Sequence, residues 1–359
     1  MKKTLAILLA AVILFGAMAT TLAEGFYAVS LGWAENASGQ RQKTGFIESF
    51  EKYGWTNYSI VDANYDPVAQ TDQIRSFIAQ HPDALFITAS DPTGIAEAVR
   101  EACDEGIPVY LSDGFISGAD AVSTVLFDNY ACGKTTMTYL LDTLQSIYGT
   151  EETIKIGKIE LPSNESWHQR DLGSDDVLAL EKYSNIEVAY RWSWDSTGAV
   201  TPSATISTWL AADTNKELKA IWCAWDGAAF EGLVLTGETR PEILYTGCDG
   251  GEECWTYMLN YPDSFIMSAG ENIYDMPRSL VNYAANYNEG KTVPRLVLVP
   301  GYAVTSKMIQ AVDSIRDYKV GDMTAWELLL NYDLAGNVDL LNQALTENGL
   351  TDQLWVPSI

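Results

Sequence analysis

The chain has 359 residues and a formal net charge of −26, with 47% hydrophobic and 19% charged residues. That length accommodates two domains with separate cores, and a polyanion of this strength repels nucleic acid and anionic lipid headgroups, so neither is expected as a partner. Five cysteines are odd in number and too sparse for the disulfide framework of a small secreted domain.

Residues 1–23 read as a secretory signal. Lys2 and Lys3 precede an apolar run over 5–15, and small residues continue to Ala23. The run is too short to span a membrane stably, and cleavage is expected after Ala23, with Ala19 as the earlier alternative. The signal contains no cysteine, which excludes a lipid anchor there. The mature chain, at about −28 after loss of two lysines, is expected to be exported and soluble.

A first strand is predicted over 26–31, then a polar loop over 32–36 and a helix with Phe46, Phe50 and Tyr53 on one side. The stretch 59–114 holds three short apolar runs, 59–62, 84–88 and 108–111, as in strands buried on both faces. Between them lie two helical stripes, Ile74–Phe77–Ile78 and Ile95–Val99–Ala102. Ser90-Asp91-Pro92 reads as the cap and first-turn proline of the second helix, and Gly106 as its terminal glycine. This order means a parallel sheet with right-handed crossovers, in which ligands lie beyond the carboxyl ends of the strands. Asp91 and Asp113 fall at such ends.

A strand over 122–126 leads to a helix capped by Asp128-Asn129 and apolar through Leu144 and Ile147. The plan then repeats. A strand at 154–159 is followed by a loop with Trp167 and Arg170 and a helix ending near Tyr183. A strand at 186–190 opens into Trp192-Ser-Trp194-Asp195, and a helix closes over 206–212. Further strands end at Trp225-Asp226-Gly227, at Cys248-Asp249-Gly250 and before Glu271. A helix over 276–287 and a strand over 295–299 follow, and the tail beyond Lys307 contains two amphipathic helices around 328–330 and 340–345. Asp-Gly at 113–114, 226–227 and 249–250 recurs at strand ends in both arrays. The expected fold class is therefore α/β, with two doubly wound parallel-sheet domains facing each other across a carboxylate-lined cleft and a helical C-terminal extension.

Several chemistries are excluded. Cys132-Gly-Lys-Thr-Thr136 imitates the end of a phosphate-binding loop, but Asp128 stands where the earlier glycine is required. Residues 62–66 begin like a calcium loop, yet Pro67 and Gln73 occupy the positions of its obligatory glycine and bidentate glutamate. The only histidines, His81 and His168, make no zinc spacing and accompany no nucleophile motif. No catalytic residue, metal site or cofactor is expected. Cys248 could pair with Cys254 or with Cys223 in an oxidising compartment; buried free thiols are the alternative.

The run Asp62-Ala-Asn-Tyr-Asp-Pro67, the Asp91 turn, Gly106-Ile-Pro-Val109, Val122-Ser-Thr-Val125 with Asp128-Asn129, Ala220-Ile-Trp-Cys-Ala-Trp-Asp226 and Gly247-Cys-Asp-Gly250 resemble type I periplasmic binding proteins. The similarity is to the ribose- and galactose-binding branch, the solute receptors of ABC sugar importers, and it covers residues 25–306. With the signal over 1–23 set aside, the resemblance implies one domain from 24–127 with 271–302, and another from 128–270 with 303–359. It implies three hinge crossings, near 126–129, 269–272 and 300–303, and closure over a bound ligand. It also implies a periplasmic monomer without cofactor that delivers a small-molecule sugar or polyol to an ABC permease, with a chemotaxis receptor as a further partner.

Carried over position by position, the resemblance marks Asn36 with Trp33 nearby, Asp113, Arg170, Trp194, Trp225 with Asp226, Asp249 and Glu271 as ligand contacts. A sugar ring has an apolar C–H face suited to flat aromatic rings and hydroxyls suited to ionised side chains, whose hydrogen bonds are about twice as strong as neutral ones. Trp33, Trp167, Trp194 and Trp225 with Asp113, Asp226, Asp249, Glu271 and Arg170 fit that division. Departures from the family pattern, Ser38-Gly39, Gly114 and Trp225, argue against a simple pentose. Trp222 is expected in the core, Asp226 either as a helix cap or as a contact, and Glu35 and Glu160 in solvent. The same residue types suit a cationic, amine-type ligand, and an exported carbohydrate-active enzyme is the third alternative.

Overall fold

The computed structural model describes residues 25–195, 199–331 and 333–356; the expected signal over 1–23 lies outside them. The first sheet contains β1 (Tyr27–Leu31), β2 (Tyr58–Asp62), β3 (Ala84–Thr88), β4 (Val109–Ser112), β5 (Ser123–Phe127) and β11 (Leu296–Val299), ordered β11-β5-β4-β3-β1-β2 with every pairing parallel. Helices α1 (Ala37–Tyr53), α2 (Pro67–Ile78) and α3 (Ala96–Asp104) belong to this lobe. β3 and β4 are buried along their whole length, as their apolar runs predict, whereas β2, the edge strand of this sheet, is only half-buried and not covered on both faces as expected.

The second sheet is ordered β12-β10-β9-β8-β6-β7. It uses β6 (Ile154–Glu160), β7 (Ile186–Ser193), β8 (Leu218–Cys223), β9 (Leu244–Asp249), β10 (Phe265–Gly270) and β12 (Tyr302–Thr305), and only β12 runs antiparallel. Its helices are α4 (Asn129–Tyr148), α5 (Glu165–Leu178), α6 (Pro202–Ala212), α7 (Asp226–Thr236) and α8 (Glu252–Asn260). Each sheet has an apolar cluster on each face: Phe46, Phe50 and Leu280 against Ile74, Val99 and Ile107 in the first lobe, and Ile206, Leu233 and Ile309 against Leu140, Leu144 and Val177 in the second.

The chain passes between the lobes three times. It leaves β5 at Asp128 to start α4, leaves β10 at Glu271 to reach α9 (Asp275–Asn288), and returns from β11 to β12 through Pro300 and Gly301. Helix α9 sits on α1, where the Tyr53 hydroxyl donates to Asn282 at 2.7 Å and Tyr274 bonds Glu48.

Two local expectations are corrected. Helix α3 begins at Ala96, not at Pro92, because Asp91 closes its own turn by accepting from Thr93 N at 2.9 Å. Glu160 is buried, not solvated: it accepts from the Ser193 hydroxyl at 3.1 Å and pairs with Arg191 and with Lys158 at 3.0 Å. Asp66 does cap α2 ahead of Pro67, as a turn before a helix requires.

Beyond β12 the tail contains α10 (Ser306–Ser314), a small hairpin of β13 (Lys319–Val320) and β14 (Met323–Thr324), α11 (Ala325–Leu330) and α12 (Leu334–Glu347). The sequence predicts two helices there; α10 and the hairpin are additional. Leu328, Leu341, Leu345 and Trp355 bury into the second-lobe core. Asp333, at the start of α12, accepts from Arg278 of α9 at 2.8 Å and so ties the tail to the back of the hinge.

Helices α4 and α5 meet backbone to backbone. A Cβ on Gly133 would stand 1.9 Å from the Arg170 carbonyl oxygen, and one on Gly173 would stand 2.1 Å from that of Tyr130. No side-chain rotation relieves such contacts. Gly133→Ala is therefore expected to cost about 3 kcal/mol or more in urea unfolding; a loss below ~1 kcal/mol would show that the helices can move apart.

Candidate binding cleft

Arg170 is the centre of the cleft. It projects from α5 and is almost fully buried. Its Nε donates to Asn129 Oδ1 at 2.6 Å, and Nη1 donates to the Ala224 carbonyl at 2.9 Å and to Asp249 Oδ1 at 3.1 Å. Nη2 pairs with Glu271. One side chain thus joins the start of α4, the ends of β8 and β9, and the second crossing. Burial works against its charge, but the adjoining Glu271 and Asp249 carboxylates hold it firmly protonated. Cys248, Asp249 and Glu271 lie close enough together to resemble a metal-ligand set. The guanidinium already pairs with both carboxylates, which makes the set an ion-pair cluster.

Asp113 approaches from the other lobe. It follows β4 with φ of 55°, a left-handed conformation that aspartate tolerates better than most residues, and its N–H donates to Val125 O at 3.0 Å. The side chain is thereby turned into the cleft, where it lines the cavity together with Trp167 and Arg170. Its Oδ1 is buried and has no hydrogen-bond partner within the protein. Burial, only partly offset by Arg170, raises the Asp113 carboxyl to about 7. Burial together with the neighbouring Asp249 charge raises Asp226 to about 7 as well, and Asp249 and Glu271 are raised chiefly by burial. With one guanidinium among four carboxylates, full ionisation of all four is disfavoured.

Aromatic rings make the walls. Trp33, in the loop after β1, stacks on Tyr65 at 5.7 Å with 6° between the planes, and Asn36 donates to the Tyr65 hydroxyl at 2.6 Å. Trp33 also meets Trp167 of α5 edge-on at 5.9 Å, a contact that crosses from one lobe to the other. On the second lobe, Trp194 at the end of β7 lies 6.0 Å from Trp225. These groups enclose a cavity of about 400 Å³, a size common to small-molecule sites.

Nine of the ten sequence-selected residues line this cavity: Trp33, Asn36, Asp113, Trp167, Arg170, Trp194, Trp225, Asp249 and Glu271. Asp226 does not. It lies beneath the wall as the first residue of α7, accepting from Ser268 Oγ at 2.8 and 2.9 Å and from Gly250 N at 2.8 Å, so it braces the β9 turn and is neither the expected cap nor a lining group. Sequence reasoning missed Tyr65, Glu231 and the 200–202 segment, which also face the cavity. Tyr65 stands inside the quoted 62–67 run, and its aromatic character was the available signal; Glu231 lies within α7, where no local pattern marks it. His168 turns to Asp171, with Nδ1 3.0 Å from Oδ2. Cys248 faces neither Cys254 nor Cys223: its sulfur lies 2.9 Å from that of Cys132, and all five cysteines are free thiols in this structure.

A cavity walled by both lobes, at the carboxyl ends of the parallel strands of two sheets with a hinge behind, defines a cleft-binding protein. The chain belongs to the periplasmic binding protein domain family, whose model matches residues 27–292, and membership implies an extracytoplasmic location. It is 23% identical to the ribose import binding protein of Bacillus subtilis over 208 residues, 58% of this chain and 64% of that relative, so the match spans less than two thirds of the relative's length. It is 39% identical to the galactofuranose-binding protein of Escherichia coli over 87 residues, 23% of this chain and 27% of that one. In fold it is similar to an ABC transporter solute-binding protein of Agrobacterium vitis crystallised with allitol, with a TM-score of 0.69 and 21% identity over 81% of this chain and 98% of that one. Among the described residues no helix is long and apolar enough to cross a membrane.

Two measurements follow from the buried charges. Arg170→Met, which leaves the carboxylates uncompensated, is expected to destabilise by roughly 3–5 kcal/mol in denaturant titration. A carboxyl raised to about 7 from an unfolded value near ~3.9 stabilises the fold fully below the lower value, and that contribution fades as pH rises through the upper one. The ligand-free protein should therefore melt at higher temperature at pH 5.5 than at pH 8, and Asp113→Asn should flatten this dependence; an unchanged slope in the variant would show that Asp113 is ionised throughout.

Proposed function

We propose that this chain is the extracytoplasmic receptor of an ABC importer, taking a sugar or polyol in the cleft and closing over it without chemical turnover. The observation that carries this is the pairing of tryptophan walls with an unpartnered buried carboxylate, Asp113 Oδ1, beside the Arg170 cluster. Rings cover the C–H face of a polyol. Asp113 accepts from a hydroxyl, and a ligand lacking that hydroxyl leaves the carboxylate unpaired, at a cost of about 1–3 kcal/mol or more. The relatives named for ribose and galactofuranose and the allitol-bound neighbour support this ligand class.

In this reading the moving bodies are 24–127 with 271–302 and 128–270 with 303–359, and residues 1–23 are the export signal cut after Ala23. The mature protein works as a monomer, presents its closed form to a permease and, in chemotactic cells, to a receptor. Trp33, Trp167, Trp194 and Trp225 contact the ring faces, Asp113, Arg170, Asp249 and Glu271 the hydroxyls, and Asn36 holds Tyr65 in place. The amine-ligand reading is less favoured because Arg170 already pairs two of the carboxylates.

The test is ligand-induced thermal shift on protein unfolded and refolded to strip bound material, across monosaccharides in both ring forms, polyols and quaternary amines. A stabilising sugar or polyol, losing at least tenfold in affinity in Trp194→Ala and Asp113→Ala and insensitive to added salt, is the expected result. Shifts confined to amines and weakened by salt would overturn the ligand class, and consumption of the bound compound would overturn the receptor role.

A further inference from the structure

Cys132 and Cys248 are 116 residues apart in sequence, yet their sulfurs lie 2.9 Å apart, and both side chains are 1% exposed. The separation exceeds the bonded length of about 2.05 Å by less than an ångström. Cys132 sits one turn into α4, three residues after Asn129, and Cys248 directly precedes Asp249 on β9. Asn129 and Asp249 are two of the residues that hold the Arg170 guanidinium. The other cysteines are placed elsewhere: Cys254 is buried in α8, Cys223 lies within β8, and Cys103 is half-buried at the end of α3.

We infer that in the exported protein Cys132 and Cys248 form a disulfide that fastens α4 to β9 around Arg170. The inference rests on the extracytoplasmic location in the proposed function, where a disulfide-bearing oxidant is at hand. One thiol loses its proton and its sulfur attacks the oxidant's disulfide, giving a mixed disulfide and releasing one oxidant thiolate. The second cysteine, deprotonated in turn, attacks the protein sulfur of that mixed disulfide and expels the other oxidant thiolate. Two electrons pass to the oxidant, and its two thiolates take up the two protons. Burial shields both sulfurs in the native state, so the exchange takes place while the chain is folding, and the finished bond is protected from reductants. The closed loop is long, the case in which a cross-link restricts the unfolded chain most. In the folded protein the bond completes a frame whose other sides are the Asn129–Arg170 and Arg170–Asp249 hydrogen bonds.

The experiment needs no ligand, so its failure is separate from failure of the sugar reading. Full-length mature protein is refolded from denaturant with glutathione disulfide, or in parallel with reductant, and alkylated in denaturant. The expected result is three alkylated thiols after oxidative refolding and five after reductive refolding, with peptide mapping joining the Cys132 and Cys248 peptides. The oxidised form should also melt roughly 5 °C or more above the reduced form, and the Cys132→Ala/Cys248→Ala double variant should melt alike under both conditions. Five free thiols after oxidative refolding, or a cross-link between any other pair, would overturn the inference. Should the double variant not fold, the wild-type thiol count and peptide map decide alone.

Discussion

The buried guanidinium of Arg170 is the constraint on which the second lobe and the cleft both depend. A charge this deep persists only when each of its donors is matched, and here the matches come from α4, β8, β9 and the second crossing. The same set of bonds that pays for its burial fixes the ends of three elements where they meet the cavity. It also bears on the acids around it: one positive charge among four carboxylates disfavours full ionisation of all four.

That arrangement is possible because α4 and α5 touch through Gly133 and Gly173. Side chains between the helices would hold Arg170 away from Asn129. The two aromatic groups depend on rigid supports in the same way: Trp33 and Tyr65 stand on loops that leave the first sheet, and Trp194 and Trp225 on strand ends of the second. The Trp33–Trp167 contact is then one place where one lobe touches the other at the cavity itself.

The fold was legible because strands covered on both faces need apolar residues at every position, as in Ala84–Thr88. Most of the cavity lining was legible for a different reason: strand ends with Asp-Gly, and the family resemblance of their surroundings, mark positions beyond the sheets. What was hidden depends on contacts far apart in sequence. Glu160 was expected in solvent, yet it pairs at 3.0 Å with Lys158, which itself lies over the Trp222 ring at 5.2 Å and pairs with Asp175 at 2.6 Å. Asp226 was placed in the cleft because its strand ends there, whereas Ser268, forty-two residues on, draws it beneath the wall. The neighbour of Cys248 could not be found by proximity along the chain, since the packing of α4 on β9 selects Cys132.

The return from Val299 to Tyr302 leaves only Pro300 and Gly301 between the two sheets. Three residue steps of fully extended chain reach at most about 11 Å, and proline shortens the tether's conformational choice further. The lobes are therefore leashed at this point and cannot part by translation. Whatever aperture admits a ligand arises as an angle between the lobes and not as a gap between them.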